Sequence, residues 1–240
     1  IAQLADELAA GRGVRAVVLG GSRAVGRATP ASDWDLGVYY AGEPDLAALR
    51  ARGEVHLPGS WGRLMNGGSW LQIDGLTVDV LLRDVAAVAH WTAQASAGRF
   101  EIDGLPGYVA GIPTYSLAAE AASCLVVRGT LAGSFDVMEV PDALAEMGPT
   151  KWRFNRDFSL YHAAAHAARG NVAATVGQVA RAALEEAHAR CCAGRRWVLN
   201  EKHLMAAADM GALDAGLLAR PVLDDLAAWV DAVRASLPAS

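Results

Sequence analysis

The chain has 240 residues, 53% of them hydrophobic and 20% charged, which suits one large domain or two modest ones and excludes a disordered chain. A formal net charge of -5 gives no general attraction to nucleic acid or to anionic membranes, so any phosphate binding must be local.

Residues 2–11 predict a short helix with Leu4 and Leu8 inward, closed by Gly11 and Gly13. The run "VRAVVLG" (14–20) predicts a buried strand, and "DWDLGVYY" (33–40) a second that alternates until Gly42 and Pro44 end it. Between them, "GSRAVGRATPAS" has room for one or two helical turns before Pro30. "WLQIDGLTVDVLLRD" (70–84) predicts a hairpin turning at Asp74-Gly75, and residues 84–98 a helix closed by Gly98. The segment 99–115 is rich in Gly and Pro, and a domain boundary is expected there.

Beyond it the pattern is helical. One helix is expected over 114–129, then a polar stretch to Pro149. A second spans 151–169, with Phe154, Phe158, Tyr161, Ala165 and Ala168 on its inner face. A third covers 171–193 with a stripe of Val172, Val176, Val179, Ala183 and Ala187. A fourth opens at Pro221 and buries Leu223, Leu226, Val230, Val233 and Leu237. The expected architecture is an α/β domain over 1–110, a mixed sheet with helices, followed by an all-α helical bundle over 111–240.

The acids inside the strands are the first chemical signal. Side chains two apart on a strand share a face, so Asp33 and Asp35 are expected side by side. Two carboxylates that close repel each other, and a divalent cation resolves the conflict. Mg²⁺ binds through one or two carboxylates together with substrate phosphates. Gly20, Gly21 and Ser22 supply a turn where backbone can approach a phosphate closely, with Arg23 and Arg27 adding positive charge. Asp79 in "TVDVLL" is a third acid in an apolar strand, where a lone charge is costly.

This ordered set resembles the DNA-polymerase-β-like nucleotidyltransferase superfamily: a Gly-Ser turn, about ten residues, Asp-x-Asp, then a third acid on a neighbouring strand. The matching residues are Gly21, Ser22, Asp33, Asp35 and Asp79, and the resemblance covers roughly 10–98. The layout of a small catalytic domain followed by a helical one is similar to that of the antibiotic nucleotidyltransferases acting on aminoglycosides and lincosamides. The resemblance implies one or two Mg²⁺ ions held by Asp33, Asp35 and Asp79, and a nucleoside triphosphate, ATP by expectation, gripped at Gly21, Ser22 and Arg23. The implied product is a nucleotidylated hydroxyl of a small-molecule acceptor, with the helical domain forming the acceptor side of the cleft. Protein AMPylation, as in toxin–antitoxin pairs, and a nucleotide-binding module with decayed catalysis are the alternatives. Some members build their sites across a dimer, and a homodimer stays compatible with the sequence. Polymerisation of nucleic acid is disfavoured by the absence of a basic stripe.

In the helical half, Asn155, Ser159, His162 and His166 repeat along one face, as a packed polar face or a substrate-facing wall would. Glu185 is the candidate general base from this half, because related enzymes draw an acid from their helical domain; Glu186 and Glu120 come next. Lys202 in "WVLNEKHL" is a candidate triphosphate contact, set against a plain helix start capped by Asn200. Trp61, Trp70 and Trp152 are expected in the core, with stacking on a base or sugar ring as the alternative. Cys124, Cys191 and Cys192 lack metal or redox spacing and are expected as apolar filler in a reducing, cytoplasmic setting. Neither a secretory leader nor a run of about 18 apolar residues is visible.

Overall fold

A computed structural model describes residues 1–133, 135, 138–219 and 221–238. The chain forms two compact units, Ile1–Ala93 with Leu117–Met138, and Gln94–Ser116 with Glu139–Ser240.

The first unit opens with α1 (Ala2–Ala9), β1 (Val14–Leu19), a single turn α2 (Gly21–Ala24) and β2 (Trp34–Tyr40). After α3 (Ala47–Arg50) and α4 (Gly62–Met65) come the hairpin β3 (Gly68–Ile73) and β4 (Leu76–Asp84), then α5 (Val85–Ser96). Asp74 and Gly75 both take positive φ, 51° and 78°, the geometry of a two-residue turn that matches strand twist. A short ribbon of β5 (Ile102–Asp103) and β6 (Ile112–Pro113) belongs to the second unit. The chain then returns through α6 (Ser116–Ser123) to β7 (Leu125–Gly129).

The sheet runs β3-β4-β2-β1-β7, with β2 and β4 parallel and every other pair antiparallel. It is the expected mixed sheet. Alternation splits its residues cleanly. Leu36, Val38 and Tyr40 of β2 and Val78, Val80 and Leu82 of β4 bury against Leu4, Leu8, Leu46 and Leu49. Asp35, Gly37, Tyr39, Asp79, Leu81 and Arg83 occupy the other parity and so the other face.

The expected helix over 114–129 stops at Ser123, because Leu125–Gly129 pairs with the outer edge of β1. An unpaired edge on β1 would leave a row of backbone donors and acceptors open, and the β-branched Val126 and Val127 suit the strand that closes it. The division at 110/111 is therefore replaced by a discontinuous one, with 117–138 returned to the sheet unit.

The second unit is built on α7 (Asp142–Ala167) and α8 (Val172–Ala193), followed by α9 (Leu204–Ala207), α10 (Gly211–Leu213) and α11 (Leu226–Ser236). α7 starts at Asp142 rather than at 151 and runs through Pro149. A proline there removes one backbone bond, to Ala145, which the packing around it outweighs. Gly148, next to it, is buried so close to Cys192 that an added Cβ would lie 3.1 Å from its sulfur. Asp225 caps α11 by accepting from the Ala228 N–H at 3.0 Å, and Leu226, Val230, Val233 and Leu237 bury as expected.

α7 turns the opposite face inward from the one its aromatics suggest. Phe154, Phe158 and Tyr161 are 71%, 58% and 67% exposed, while Trp152, Arg156, Ser159, Leu160 and Ala163 are buried. The inward polar groups are tolerated because α8 answers them. Glu186, fully buried, accepts from Arg156 at 2.7 Å, Arg190 at 3.1 Å and Arg153 at 3.3 Å. Glu186→Ala would leave the buried Arg156 guanidinium without that carboxylate, and a loss of about 3–5 kcal/mol is expected in denaturant unfolding. A second buried group makes the unit acid-sensitive. His188 stacks on Trp152 at 4.1 Å, its Nδ1 lies 3.2 Å from the Tyr115 hydroxyl, and its Nε2 has no partner among the described residues. Burial pushes its pKa from 6.5 down to about 3. Above 6.5 neither state binds a proton there; between 6.5 and about 3 the unfolded chain does and the folded one does not. Stability should thus fall as pH drops through that window, and urea midpoints at pH 7 and 5 should differ less in His188→Phe than in wild type.

Candidate active site

Three local features converge on one rung of the sheet. β2 and β4 run parallel in a register that sets Asp35 opposite Asp79, so the two carboxylates leave adjacent strands on the same face. Both side chains are half-buried. On the β1 side, the Gly20 N–H donates to the Asp35 carbonyl at 2.8 Å, which ties the glycine turn to this rung. Gly21 has φ +60°, and a Cβ there would lie 1.8 Å from the Asp35 carboxylate oxygen Oδ2. Only glycine lets the turn close over that carboxylate.

Arg23 holds the loop between turn and strand. Its Nε donates to the Asp33 carbonyl at 3.0 Å, its Nη2 to the Ser32 carbonyl at 2.6 Å, and its guanidinium lies 4.3 Å above the Trp34 ring. The residue expected at the phosphates thus has a place as a loop clamp. Ser22 sits half-exposed in the single turn of α2. Asp33 lies just before β2 rather than in it, and is exposed, so strand alternation does not align it with Asp35.

Two rungs along the same face, Tyr39 and Arg83 are opposite each other. Arg83 forks onto Glu120, Nε to Oε1 at 2.9 Å and Nη2 to Oε2 at 2.6 Å, and the Tyr39 hydroxyl donates to Oε1 at 3.3 Å. Glu120, considered above as a base, is therefore engaged in fixing α6 to the sheet. On the other side of Asp79, β3 places Trp70 directly opposite it. Trp70 is 63% exposed, unlike the fully buried Trp152, so the core expectation holds for one of these tryptophans and fails for the other.

Two expected site residues lie in the other unit. Glu185 is 0% exposed, accepts from Ser159 at 2.8 Å and from Arg181 at 3.0 Å, and burial pushes its carboxyl pKa up. Both of its oxygens are thus engaged within its own unit. Lys202 is exposed, and its backbone N–H donates to the Asn200 side chain at 2.9 Å. Asn200 makes a local turn there, since the helix that follows begins only at Leu204. Asn155, His162 and His166 are half-buried along α7, with His162 against Phe158 and Tyr161.

Comparison with known families bears on the rung directly. Residues 1–86 match the family model described as a nucleotidyltransferase domain. That match supports a nucleotidyltransferase activity. The matched stretch contains the turn, Asp33, Asp35 and Asp79, and ends two residues into α5. Such domains transfer a nucleoside monophosphate in general. No curated protein matches the chain.

The acids of the matched stretch suit a hard divalent cation in chemistry and in packing. Their donors are carboxylate oxygens, two of them on one rung, and the glycine cradle keeps one pressed beside the turn. Among the described residues no group of three acids, histidines or cysteines is gathered closely enough to hold an ion by itself. Mg²⁺ takes one or two carboxylates and completes its shell from water and substrate phosphates. Among the described residues no helix is long and apolar enough to cross a membrane.

Proposed function

We propose that the protein moves a nucleoside monophosphate, AMP from ATP by expectation, to a hydroxyl of a small molecule, with antibiotic-like ring compounds as the first acceptors to test. The observation that carries this reading is the Asp35–Asp79 rung, closed on one side by the Gly21 turn. Bound Mg²⁺ would neutralise the triphosphate and the charge that builds up in the transition state. Asp35, with Asp33 at the loop end, would hold it. Gly21 leaves backbone room for the outer phosphates, and the Ser22 hydroxyl donates to one of their oxygens. Arg23 keeps the loop in place. Asp79 accepts the proton of the acceptor hydroxyl as its oxygen bonds to the α-phosphorus. The bond from that phosphorus to the bridging oxygen breaks on the opposite side, and pyrophosphate leaves with the electron pair. Glu185 has no part in this scheme, being enclosed.

The test is incubation with each of the four ribonucleoside triphosphates, Mg²⁺ and a panel of aminoglycosides and lincosamides, read by mass spectrometry. The expected result is a mass gain of one nucleoside monophosphate on an acceptor, matched by pyrophosphate release. Pyrophosphate release with the label on a protein instead would turn the reading to protein modification. Neither product with any donor would remove it.

A further inference from the structure

From the Proposed function it follows that acceptor and pyrophosphate must lie on opposite sides of the α-phosphorus, because the displacement is in line. The glycine turn lies on the β1 side of Asp35, and phosphates gripped there form the leaving side. The acceptor then enters from the other end of the rung, over Asp79 and towards β3.

At that end the sheet carries an aromatic platform. Trp70 faces Asp79 across the strand pair and is 63% exposed. Its ring stacks on Trp61 at 4.6 Å and 30°, and His56 meets both rings, at 4.8 Å from Trp61 and 5.2 Å from Trp70. The platform is built in. His56 bridges to Gly68 of β3, and an added Cβ on Gly68 would lie 2.9 Å from the Trp61 ring, so the missing side chain makes the seat for it. On the next rung of the same face, Gln72 donates to the Thr77 hydroxyl at 3.0 Å, and both are exposed. A broad indole face flanked by an amide, a hydroxyl and a carboxylate suits a ring whose faces are apolar and whose rim carries hydroxyls.

We infer that Trp70, backed by Trp61 and His56, is the docking platform for the acceptor, and that the acceptor is a hydroxylated saturated ring laid on the indole with one hydroxyl against Asp79. Trp70 is a specificity-determining contact, and it is separate from the nucleotide's hold on the turn.

The test follows the Trp70 indole N–H by NMR in protein labelled on its tryptophans, the signal being assigned by its loss in Trp70→Ala. Millimolar kanamycin, a hydroxylated ring compound, should shift this signal in the presence of a non-hydrolysable MgATP analogue, while the analogue alone should not. In turnover with the acceptor found above, Trp70→Ala should raise KM about tenfold, the loss expected when an area on the order of 60 Å² of ring face stays wet. Trp70→Phe should fall between, and MgATP affinity should stay within about twofold. A shift caused by the analogue alone, or a loss of MgATP affinity in Trp70→Ala, would make this a nucleobase platform and overturn the inference. An unshifted signal with kanamycin, or an unchanged KM, would also overturn it. A kanamycin shift without any transfer would keep the platform and discard the transferase reading; transfer with unchanged KM in Trp70→Ala would do the reverse.

Discussion

Asp35→Asn is expected to remove nucleotidyl transfer, by about a thousandfold or more, while the protein keeps its fold. The carboxylate is the one the glycine turn closes upon, and it shares its rung with Asp79. Neutralising it removes half of the charge that would hold the cation and leaves the leaving phosphates without compensation. The fold is spared because one of two like charges on the same face has gone. Calorimetry with MgATP and a melting curve check the two halves of the statement: affinity should collapse and the melting temperature should move by a few degrees at most. Asp33→Asn is the informative comparison. Asp33 is exposed and stands before the strand, so its loss should weaken MgATP binding less. Normal MgATP affinity in Asp35→Asn would take the rung out of the site.

Gly21→Ala is the smallest change with a comparable effect. A methyl group there would sit 1.8 Å from the Asp35 oxygen, so the carboxylate must swing away or the turn must open. Either movement separates the phosphate grip from the acid, and turnover should fall by about a hundredfold or more, since misplacing a group by about 1 Å costs that much. The same alanine must adopt φ +60°, which adds about 1 kcal/mol of strain. Stability and activity should both drop, activity far more. Full activity would show that turn and carboxylate do not work together. Gly26 is the control, because it too has positive φ but an added Cβ would meet nothing within 4 Å.

The Asp35–Asp79 rung was legible as geometry because its signals are local. Asp35 and Asp79 sit within strands whose β-branched runs and flanking turns announce themselves, the Gly21–Ser22 turn directly follows β1, and the period of two then assigns faces. The Trp70–Asp79 pairing follows by counting, though the core expectation for tryptophan passed over it: a two-residue turn at Asp74-Gly75 pairs Ile73 with Leu76, and counting outward pairs Trp70 with Asp79. The misjudged parts depend on partners far along the chain. Residues 125–129 have a strand's composition, but only the open edge of β1 decides between strand and helix end. On α7 two faces compete, an aromatic one at 154, 158 and 161 and a mixed one at 152, 156 and 159. Apolar count favours the first. The second is buried because Glu185 and Glu186 on α8 supply carboxylates to Ser159 and Arg156, and such a pairing has no signature in α7 itself. The enclosure of Glu185 was hidden in the same way: a charge on a helix looks solvated until the facing helix is known.

The late return of β7 has a consequence for how the protein is made. The Asp35–Asp79 rung is complete in sequence by Asp79, yet the outer edge of β1 stays open until residues 125–129 have left the ribosome, after the whole 94–116 excursion into the other unit. Arg83, nearly sealed inside the sheet unit, waits equally long for Glu120. A nascent chain ending near 110 would therefore expose a strand edge and an enclosed guanidinium without its carboxylate, the features that invite pairing with a neighbouring chain or a chaperone. The strand edge beside the proposed site is thus covered only by a segment that arrives after the rung is already encoded.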